Sequence, residues 1–401
     1  MKIKLQDSLI NYKNVFSLIE EIPSITRATL AKRLGLSKTT ISLIVSNLLN
    51  SNLISEAKAN IDGRGRPAVP LYINSTYWHS LGIGFMNNHW DFIVTNLNGK
   101  VVYNYIQEIN GDDVFEKLFE GIKIAVDDCH CRLLPKIGLG VPGIVNNKSG
   151  IIIQAADQGW KDIPLKKIIK EKTGWDSIIM NRHKTSGLAE YKFSNMKDFE
   201  NCVFIGISSG ISAAIISNGK LIQGEDYAAG ELGHCIVNPK GRLCKCGKRG
   251  CLQTEVSTER LMEKVEKAYY DQIKEGKSLK DDVIWKAIEE NNLTMELIWS
   301  QEERDNPIII ESLSEMARNL SYVMISLINI VNPKHLIIGG TLGCSSKYFC
   351  FLLQKEIMKI PFSFRVLPDF IVKATLNNQA AALGAALLPV NEILGLILKR
   401  N

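Results

Sequence analysis

The sequence lacks any uninterrupted apolar run of the roughly 18 residues that a membrane-spanning helix needs. Its first residues, MKIKLQDSL, do not resemble a secretory signal. The nine cysteines do not suggest a disulfide framework, because three of them fall in one short cluster with a histidine. These absences argue against a membrane protein and a disulfide-stabilised secreted domain, and they predict a protein of the reducing cytoplasm.

Beyond the N-terminal part of the chain there is little net charge, because positive and negative residues nearly balance. Residues 1–70 contain ten Lys/Arg against five Asp/Glu, which leaves only about one of the six net positive charges for the other 331 residues. A basic surplus confined to one segment indicates a surface that binds a polyanion, although a merely solvated basic face is the alternative. The length of 401 residues predicts two or three domains.

Residues 24–54 have the pattern of a helix-turn-helix. Ser24 or Thr26 can cap a helix over 27–34, Gly35 supplies a tight turn, and Ser37 can cap a second helix with apolar residues at helical spacing. Short polar side chains and one cation at the start of that helix suit a major groove; a helical hairpin that packs on something else is the alternative. The residues predicted to contact DNA here are Thr26, Arg27, Ser37, Lys38, Thr39, Thr40 and Ser42.

The next segment, residues 55–73, is predicted to form a wing of two short strands. Arg64, Gly65 and Arg66, followed by Pro67, resemble the core of an AT-hook. An extended Arg-Gly-Arg fits a narrow A·T-rich minor groove because glycine lets the backbone lie on the groove floor. The alternative is a flexible basic linker.

Between Glu231 and Cys251 lie a histidine and four cysteines, and three of these cysteines form a motif with the histidine. His234, Cys244, Cys246 and Cys251 lie within eighteen residues, with glycines that bend the chain between them. One imidazole and three thiolates form a natural tetrahedral set for a structural Zn²⁺. The alternative is four residues that never meet, with Cys-x-Cys as a buried or redox-active thiol pair.

The arrangement Glu-x-Gly-His, then Cys-x-Cys-Gly, then Gly-Cys resembles the zinc motif of the ROK family (repressors, open reading frames and sugar kinases). In that family the metal-bound histidine also points toward a bound sugar, beside the motif's glutamate. The resemblance extends over essentially the whole chain and covers segments around the family's sugar site. The residues that it places at a ligand pocket are Asp157, Asn181, Arg182, Glu231 and His234.

The resemblance implies an α/β fold, with an N-terminal winged helix-turn-helix followed by a two-lobed actin-like ATPase module of the sugar-kinase type. It places the winged domain at residues 1–74, the first lobe at 75–198 with 378–401, and the second lobe with the zinc loop at 199–377. The winged domain is expected to fold on its own. ROK sugar kinases lack this domain, so its presence favours a repressor.

Three positions depart from the pattern of the family's kinases. Residues 84–88 (GFMNN) replace the Asp-x-Gly-Gly-Thr turn that cradles nucleotide phosphates, and residues 208–212 (SSGIS) retain one glycine of the second phosphate loop. Arg182 stands where the kinases have the aspartate that deprotonates the sugar hydroxyl, and a guanidinium cannot accept that proton. We therefore predict no catalytic residues and no enzyme activity.

The sequence as a whole predicts a transcriptional repressor of carbohydrate-related genes. It would be a homodimer or tetramer that binds double-stranded operator DNA and responds to a sugar or sugar derivative in the cleft between the lobes. One alternative is a sugar kinase with an added DNA-binding domain. Another is a repressor that senses a phosphorylated sugar or a protein partner.

Overall fold

The computed structural model describes residues 2–57, 69–86, 88–111, 113–194, 200–361 and 369–400, with the backbone alone for 2–8 and 395–400. Contacts divide the chain into two compact units. The first unit comprises Met1–Val141, Leu165–Ile179 and Ala382–Asn401, and the second comprises Pro142–Pro164 and Met180–Ala381. No helix in the described part of the chain is long and apolar enough to cross a membrane.

The first unit begins with three helices and a small sheet. The helices are α1 (Lys2–Glu21), α2 (Arg27–Leu34) and α3 (Lys38–Asn50), and the strands are β1 (Ile25–Thr26), β2 (Ile54–Glu56) and β3 (Pro70–Ile73). The strands pair antiparallel in the order β1-β3-β2, so the two strands predicted for the wing are present. Residues 58–68 between them, which include Arg64, Gly65 and Arg66, lie outside the described residues.

The turn between α2 and α3 forms as its sequence predicts. The Thr26 hydroxyl accepts a hydrogen bond from the Thr29 backbone N–H at 3.3 Å, and the Ser37 hydroxyl accepts one from the Thr40 N–H at 3.0 Å. Gly35 ends α2 with φ at 63°, a left-handed conformation that glycine adopts without a steric penalty. The predicted helix-turn-helix is therefore confirmed.

The hydrophobic core of these helices is not confined to residues 1–74. Trp78 donates from its indole nitrogen to the Ser51 carbonyl at 2.8 Å. The same cluster of buried side chains that holds the N-terminal helices together includes four residues from later in the chain. These are Leu97, Leu134, Ile393 and Leu394. The winged segment thus shares its core with the rest of the first unit.

A five-stranded sheet follows, with three helices in the same unit. Its strands are β4 (His79–Met86), β5 (His89–Asn96), β6 (Val101–Glu108), β7 (Lys136–Val141) and β11 (Asp176–Asn181), in the order β11-β7-β4-β5-β6. The helices are α4 (Val114–Asp128), α5 (Leu165–Thr173) and α13 (Ala380–Arg400). Strand β4 ends at Met86 and β5 begins at His89, and helix α4 ends at Asp128.

Helix α13 packs closely on this sheet because the sheet presents glycines to it. A Cβ on Gly82 would lie 2.1 Å from the Ala382 carbonyl oxygen, and one on Gly138 would lie 1.9 Å from that of Ala385. The Ser80 hydroxyl donates to the Ala386 carbonyl at 2.6 Å. The close packing of this helix therefore depends on glycines of the strands beneath it as well as on its own alanines.

The second unit contains two sheets. A small antiparallel sheet has the order β10-β9-β8, with β8 (Ile144–Asn146), β9 (Ile151–Ala155) and β10 (Trp160–Ile163). The larger sheet has the order β14-β13-β12-β15-β16, with β12 (Cys202–Ile207), β13 (Ile211–Ser217), β14 (Lys220–Leu221), β15 (His335–Gly339) and β16 (Ile371–Lys373). Strands β12 and β15 are buried throughout, as central strands covered on both faces are.

The helices of the second unit supply the rest of its core. They are α6 (Arg182–Phe193), α7 (Thr258–Lys274), α8 (Val283–Glu289), α9 (Met295–Glu303), α10 (Pro307–Val331), α11 (Gly340–Ser345) and α12 (Phe349–Ile357). Helices α7 to α10 and α12 contribute apolar side chains to one cluster with β12 and β15. Helix α6 begins directly at the end of β11 and brings its first residues to the site described next.

Candidate functional site

A cavity of about 430 Å³ lies in the second unit. It is lined by the turn before β8, the 3-10 helix Ala156–Gln158, the start of α6, the turn between β12 and β13, and the cysteine-containing loop after Glu231. The structure brings all of the predicted pocket residues together around it, namely Asp157, Asn181, Arg182, Glu231 and His234.

Asn181 caps α6 at the floor of the cavity. Its side-chain oxygen accepts hydrogen bonds from the backbone N–H groups of His183 and Lys184, at 2.9 and 3.2 Å. Its amide nitrogen donates to the Gly143 carbonyl at 2.8 Å. These structural bonds use most of the hydrogen-bonding capacity of the Asn181 amide, and one of its two N–H groups remains for a ligand.

Arg182 and His183 are buried beside the cavity. Arg182 does not turn to solvent, because only 6% of the residue is exposed. Burial lowers the pKa of Arg182, while the nearby carboxylates of Asp157 and Glu259 oppose that shift. Burial, together with the charge of Arg182, lowers the pKa of His183 to about 3, so this imidazole is neutral at physiological pH.

Two residues that were not among the predicted pocket residues, Ser212 and Lys184, act on the carboxylate of Glu231. The Ser212 hydroxyl lies 3.2 Å from a Glu231 carboxylate oxygen. Lys184, almost fully buried, donates to the Tyr227 carbonyl at 2.5 Å. Burial raises the pKa of Glu231, and the Lys184 ammonium and the Ser212 hydroxyl partly offset that rise. The position of Lys184, three residues after Asn181 at the start of a helix, was the available signal.

The predicted metal ligands converge on one point. The ligand atoms of His234, Cys244, Cys246 and Cys251 all lie within 4.8 Å of one another. The Cys246 and Cys251 sulfurs are 3.6 Å apart, and the Cys244 sulfur is 3.8 Å from His234 Nδ1. Tetrahedral Zn²⁺ with bonds of about 2.3 Å to sulfur needs sulfur–sulfur separations of roughly 3.8 Å. The four residues therefore meet, and their spacing fits such an ion.

The loop that carries these ligands is closed by its own backbone. The Cys244 N–H donates to the Lys248 carbonyl at 2.7 Å, which brings the two arms of the Cys-x-Cys turn together. Gly250 has φ at 71°, and a Cβ there would lie 1.5 Å from the Asn238 carbonyl oxygen. Outside the loop, the Gln253 amide donates to the Cys244 sulfur at 3.5 Å. A hydrogen bond of this kind orients a thiolate ligand.

The two segments that depart from the phosphate loops of the family's kinases have structural contacts of their own. The Ser208 N–H donates to the Gly210 carbonyl at 3.0 Å, and the Thr341 N–H donates to the Ser208 hydroxyl at 3.1 Å. These groups are therefore not free to cradle an anion. At the other position, β4 and β5 form a hairpin in which Phe85 and Trp90 stack edge to face at 4.8 Å; Asn87 lies outside the described residues.

Some of the residues predicted to contact DNA have structural partners. Thr26 and Ser37 are the caps of α2 and α3, and Thr40 is half-buried with its hydroxyl 2.8 Å from that of Ser37. Arg27 forms an ion pair with Glu56 of β2. On α3, the side chains of Lys38, Thr39 and Ser42 remain exposed.

Two further exposed residues of α3, Leu43 and Ser46, share this outer face. The sequence interpretation did not name either residue. Their spacing from Thr39, four and seven residues, was the signal that could have identified them.

Comparisons with known proteins agree with this architecture. The sequence profile described as "ROK family" matches residues 80–392. The chain is 25% identical over 391 residues to a putative xylose repressor of Caldicellulosiruptor sp., covering 96% of each protein. It is 26% identical over 394 residues to the xylose repressor of Caldicellulosiruptor bescii, again covering 96% of each.

Solved structures similar to the chain include a regulator and an enzyme. A ROK family transcriptional regulator, described as a homolog of the Escherichia coli MLC protein, superimposes with a TM-score of 0.80 at 27% identity and covers 98% of both chains. A ROK family glucokinase from Streptomyces griseus superimposes with a TM-score of 0.67 at 22% identity. It covers 98% of that enzyme but only 77% of this chain.

Proposed function

The chain belongs to the ROK family, and we propose that it is a transcriptional repressor of carbohydrate-related genes that responds to a sugar or sugar derivative. The observation that carries this proposal is the helix-turn-helix at its N-terminus, with a capped second helix whose polar face is exposed. Repressors that are similar along 96% of the chain support it. The predicted division into domains at residues 74 and 198 remains part of the proposal.

The proposed repressor binds double-stranded operator DNA as a homo-oligomer in the cytoplasm. Lys38, Thr39 and Ser42 contact the major groove, and the Arg64-Gly65-Arg66 segment contacts the adjacent minor groove. A single small domain of this kind rarely has enough contacts for operator-level affinity. Two copies that bind a palindromic site supply the missing contacts, which favours a dimer or a tetramer.

Zn²⁺ is the proposed resident metal, bound by His234, Cys244, Cys246 and Cys251. Its role is structural: four protein ligands leave no open position for a reacting molecule, and the ion neutralises thiolates in a short loop. With Nδ1 of His234 turned toward the Cys244 sulfur, the other ring nitrogen is free to donate a hydrogen bond. The metal thus fixes the imidazole and Glu231 at the wall of the cavity.

The proposed effector occupies the 430 Å³ cavity, a volume suited to a monosaccharide. Glu231 and Asp157 accept hydrogen bonds from its hydroxyl groups, and the remaining N–H of Asn181 donates to it. No sugar phosphorylation follows in this proposal, because Arg182 replaces the general base and the Ser208 turn has closed on itself.

Two measurements test the proposal, namely binding to promoter DNA and turnover of ATP in the presence of sugars. The full chain is mixed with duplex fragments from the promoters of its own genome at 50 and 200 mM salt, with and without xylose. We expect binding to at least one fragment to weaken steeply with salt and to change with effector. Absence of salt-sensitive binding to every fragment contradicts repressor function, and sustained ATP turnover with any sugar contradicts the loss of kinase activity.

One observation favours a second candidate, a repressor whose effector carries a negative charge. Arg182 places a buried guanidinium beside the cavity at a position where the family's kinases carry a carboxylate. Guanidinium groups bind carboxylate and phosphate oxygens in a paired geometry. A thermal-shift comparison of xylose with sugar phosphates and sugar acids distinguishes the two candidates, because only the anionic compounds stabilise the protein in the second.

A further inference from the structure

Leu43 is exposed at the centre of the outer face of α3. Its exposed fraction is 62%, whereas the four apolar residues of the inner face, Ile41, Ile44, Val45 and Leu48, are all buried in the core. A single exposed leucine is ordinary on a protein surface, so its exposure alone carries no conclusion. Its position on this helix is what distinguishes it.

Leu43 lies within a row of short polar side chains. Thr39 precedes it by four residues and Ser46 follows it by three, so the three side chains lie on one face, opposite the core. Lys38 and Ser42 flank that row. A face of hydroxyl groups with one cation reads the polar edges of base pairs, and the leucine interrupts it with an apolar side chain.

The major groove offers one apolar feature, the C5-methyl group of thymine. The hydroxyl groups of Ser42 and Ser46 offer that methyl group no apolar surface and the methyl of Thr39 offers little, whereas a leucine side chain can bury it. We propose that Leu43 is a specificity-determining residue of this repressor and contacts a thymine methyl in each half of the operator. This inference rests on the proposed function, because it gives a role to the exposed apolar side chain of the helix that is proposed to bind DNA.

The test uses the full chain and a pool of random duplex DNA from which the protein selects its own sites. Each thymine of the selected duplex is then replaced singly by deoxyuridine, which removes only the methyl group. We expect one thymine per half-site at which the replacement weakens wild-type binding about four-fold, the factor that corresponds to one buried methyl group. In Leu43→Ala the same replacement is expected to have no effect.

Two further variants separate a base contact from a structural effect. Leu43→Met keeps an apolar side chain of similar length and is expected to retain the thymine preference. Ile10→Ala removes an apolar side chain of α1 that is also half-exposed, and is expected to bind as the wild type does. Thermal unfolding of each variant checks that the fold is intact.

The outcomes distinguish the inference from the function on which it rests. If the wild-type chain enriches no duplex from the pool, both fail. If it enriches a duplex but Leu43→Ala retains every deoxyuridine effect, the inference alone fails. A uniform loss of affinity in Leu43→Ala, with unchanged sensitivity at every thymine, also overturns it, since the side chain would then act on the helix rather than on a base.

Discussion

The ammonium group of Lys245 lies 3.6 Å from the carboxylate of Asp157. Lys245 stands between two of the metal-ligating cysteines, and Asp157 lines the cavity. The pair therefore connects the metal loop to the proposed effector site. Because the lysine side chain is 65% exposed, the pair contributes little to stability by itself, and its position depends on the loop being ordered.

Removing one ligand of the proposed metal is expected to uncouple the cysteine loop from the proposed effector site. Cys246→Ser should lose the proposed single Zn²⁺ per chain, because three ligands bind Zn²⁺ far more weakly than four. The stabilisation by an effector should be lost with it. Metal analysis and thermal shift measure the two effects. Cys235→Ser is the control: this exposed cysteine lies in the same loop outside the cluster, and its variant should keep full zinc occupancy.

The exposed cation of the DNA-binding helix is expected to act mainly through charge. Lys38→Ala should weaken operator binding about ten-fold at physiological salt and lower the slope of log affinity against log salt by about one for each bound copy. Binding titrations at four salt concentrations measure the slope. Lys274→Ala removes another exposed lysine, from the last turn of α7, and an equal loss of affinity in that variant would contradict a specific role for Lys38.

Acid is expected to destabilise the protein through His183. Its pKa is about 3 in the folded chain and 6.5 ordinarily, so the unfolded chain binds the additional proton. Stability is therefore present in full above pH 6.5 and is lost as pH falls from 6.5 toward 3. The loss should reach about 2 kcal/mol between pH 6.5 and 5.

Urea unfolding of the wild type and of His183→Gln at pH 7 and pH 5 isolates this contribution. The metal-binding thiolates titrate in both proteins, so their effect cancels in the comparison. The variant should lose about 2 kcal/mol less than the wild type on acidification. Identical losses in the two proteins would show that His183 is protonated without cost in the folded state.

The shared core predicts that the N-terminal helices depend on the end of the chain. Leu394→Ala should cost about 3 kcal/mol of unfolding free energy, because Leu394 is 3% exposed within the cluster that holds α1 to α3. Ile330→Ala, at an 82% exposed position, should change stability by less than about 0.5 kcal/mol. Urea unfolding followed by circular dichroism measures both. A fragment of residues 1–77 as stable as the full chain would contradict the dependence.

The sequence was sufficient for features that are local. The hydroxyl caps at Thr26 and Ser37, the turn at Gly35 and the cysteine cluster each depend on residues a few positions apart, whose chemistry allows few arrangements. The resemblance to the ROK family also named pocket residues that lie around one cavity, where Asn181 serves mainly as a helix cap.

Other features could not be predicted because their causes lie far apart in the chain. The contact of Leu394 with the N-terminal core joins residues more than 300 positions apart, and nothing in the local pattern of either segment indicates it. The sequence between Met86 and His89 contains no Asn-Gly or Asp-Gly pair, the usual signal of a hairpin turn, so the boundary between β4 and β5 could not be predicted. The burial of Arg182 follows from the packing around α6, which its sequence does not specify.

Gly82 and Gly138 give the C-terminal helix a contact with the sheet that is made by main-chain atoms. The nearest side-chain atoms, Ala386 Cβ and Pro389 Cδ, belong to residues that cannot change rotamer to absorb a small movement. A substitution such as Gly138→Ala would therefore push α13 away from the sheet, and the same helix carries Leu394, which is part of the core of α1 to α3. Substitutions that abolish the function should consequently occur at Gly82 and Gly138, although neither glycine is among the residues predicted to bind DNA or the effector.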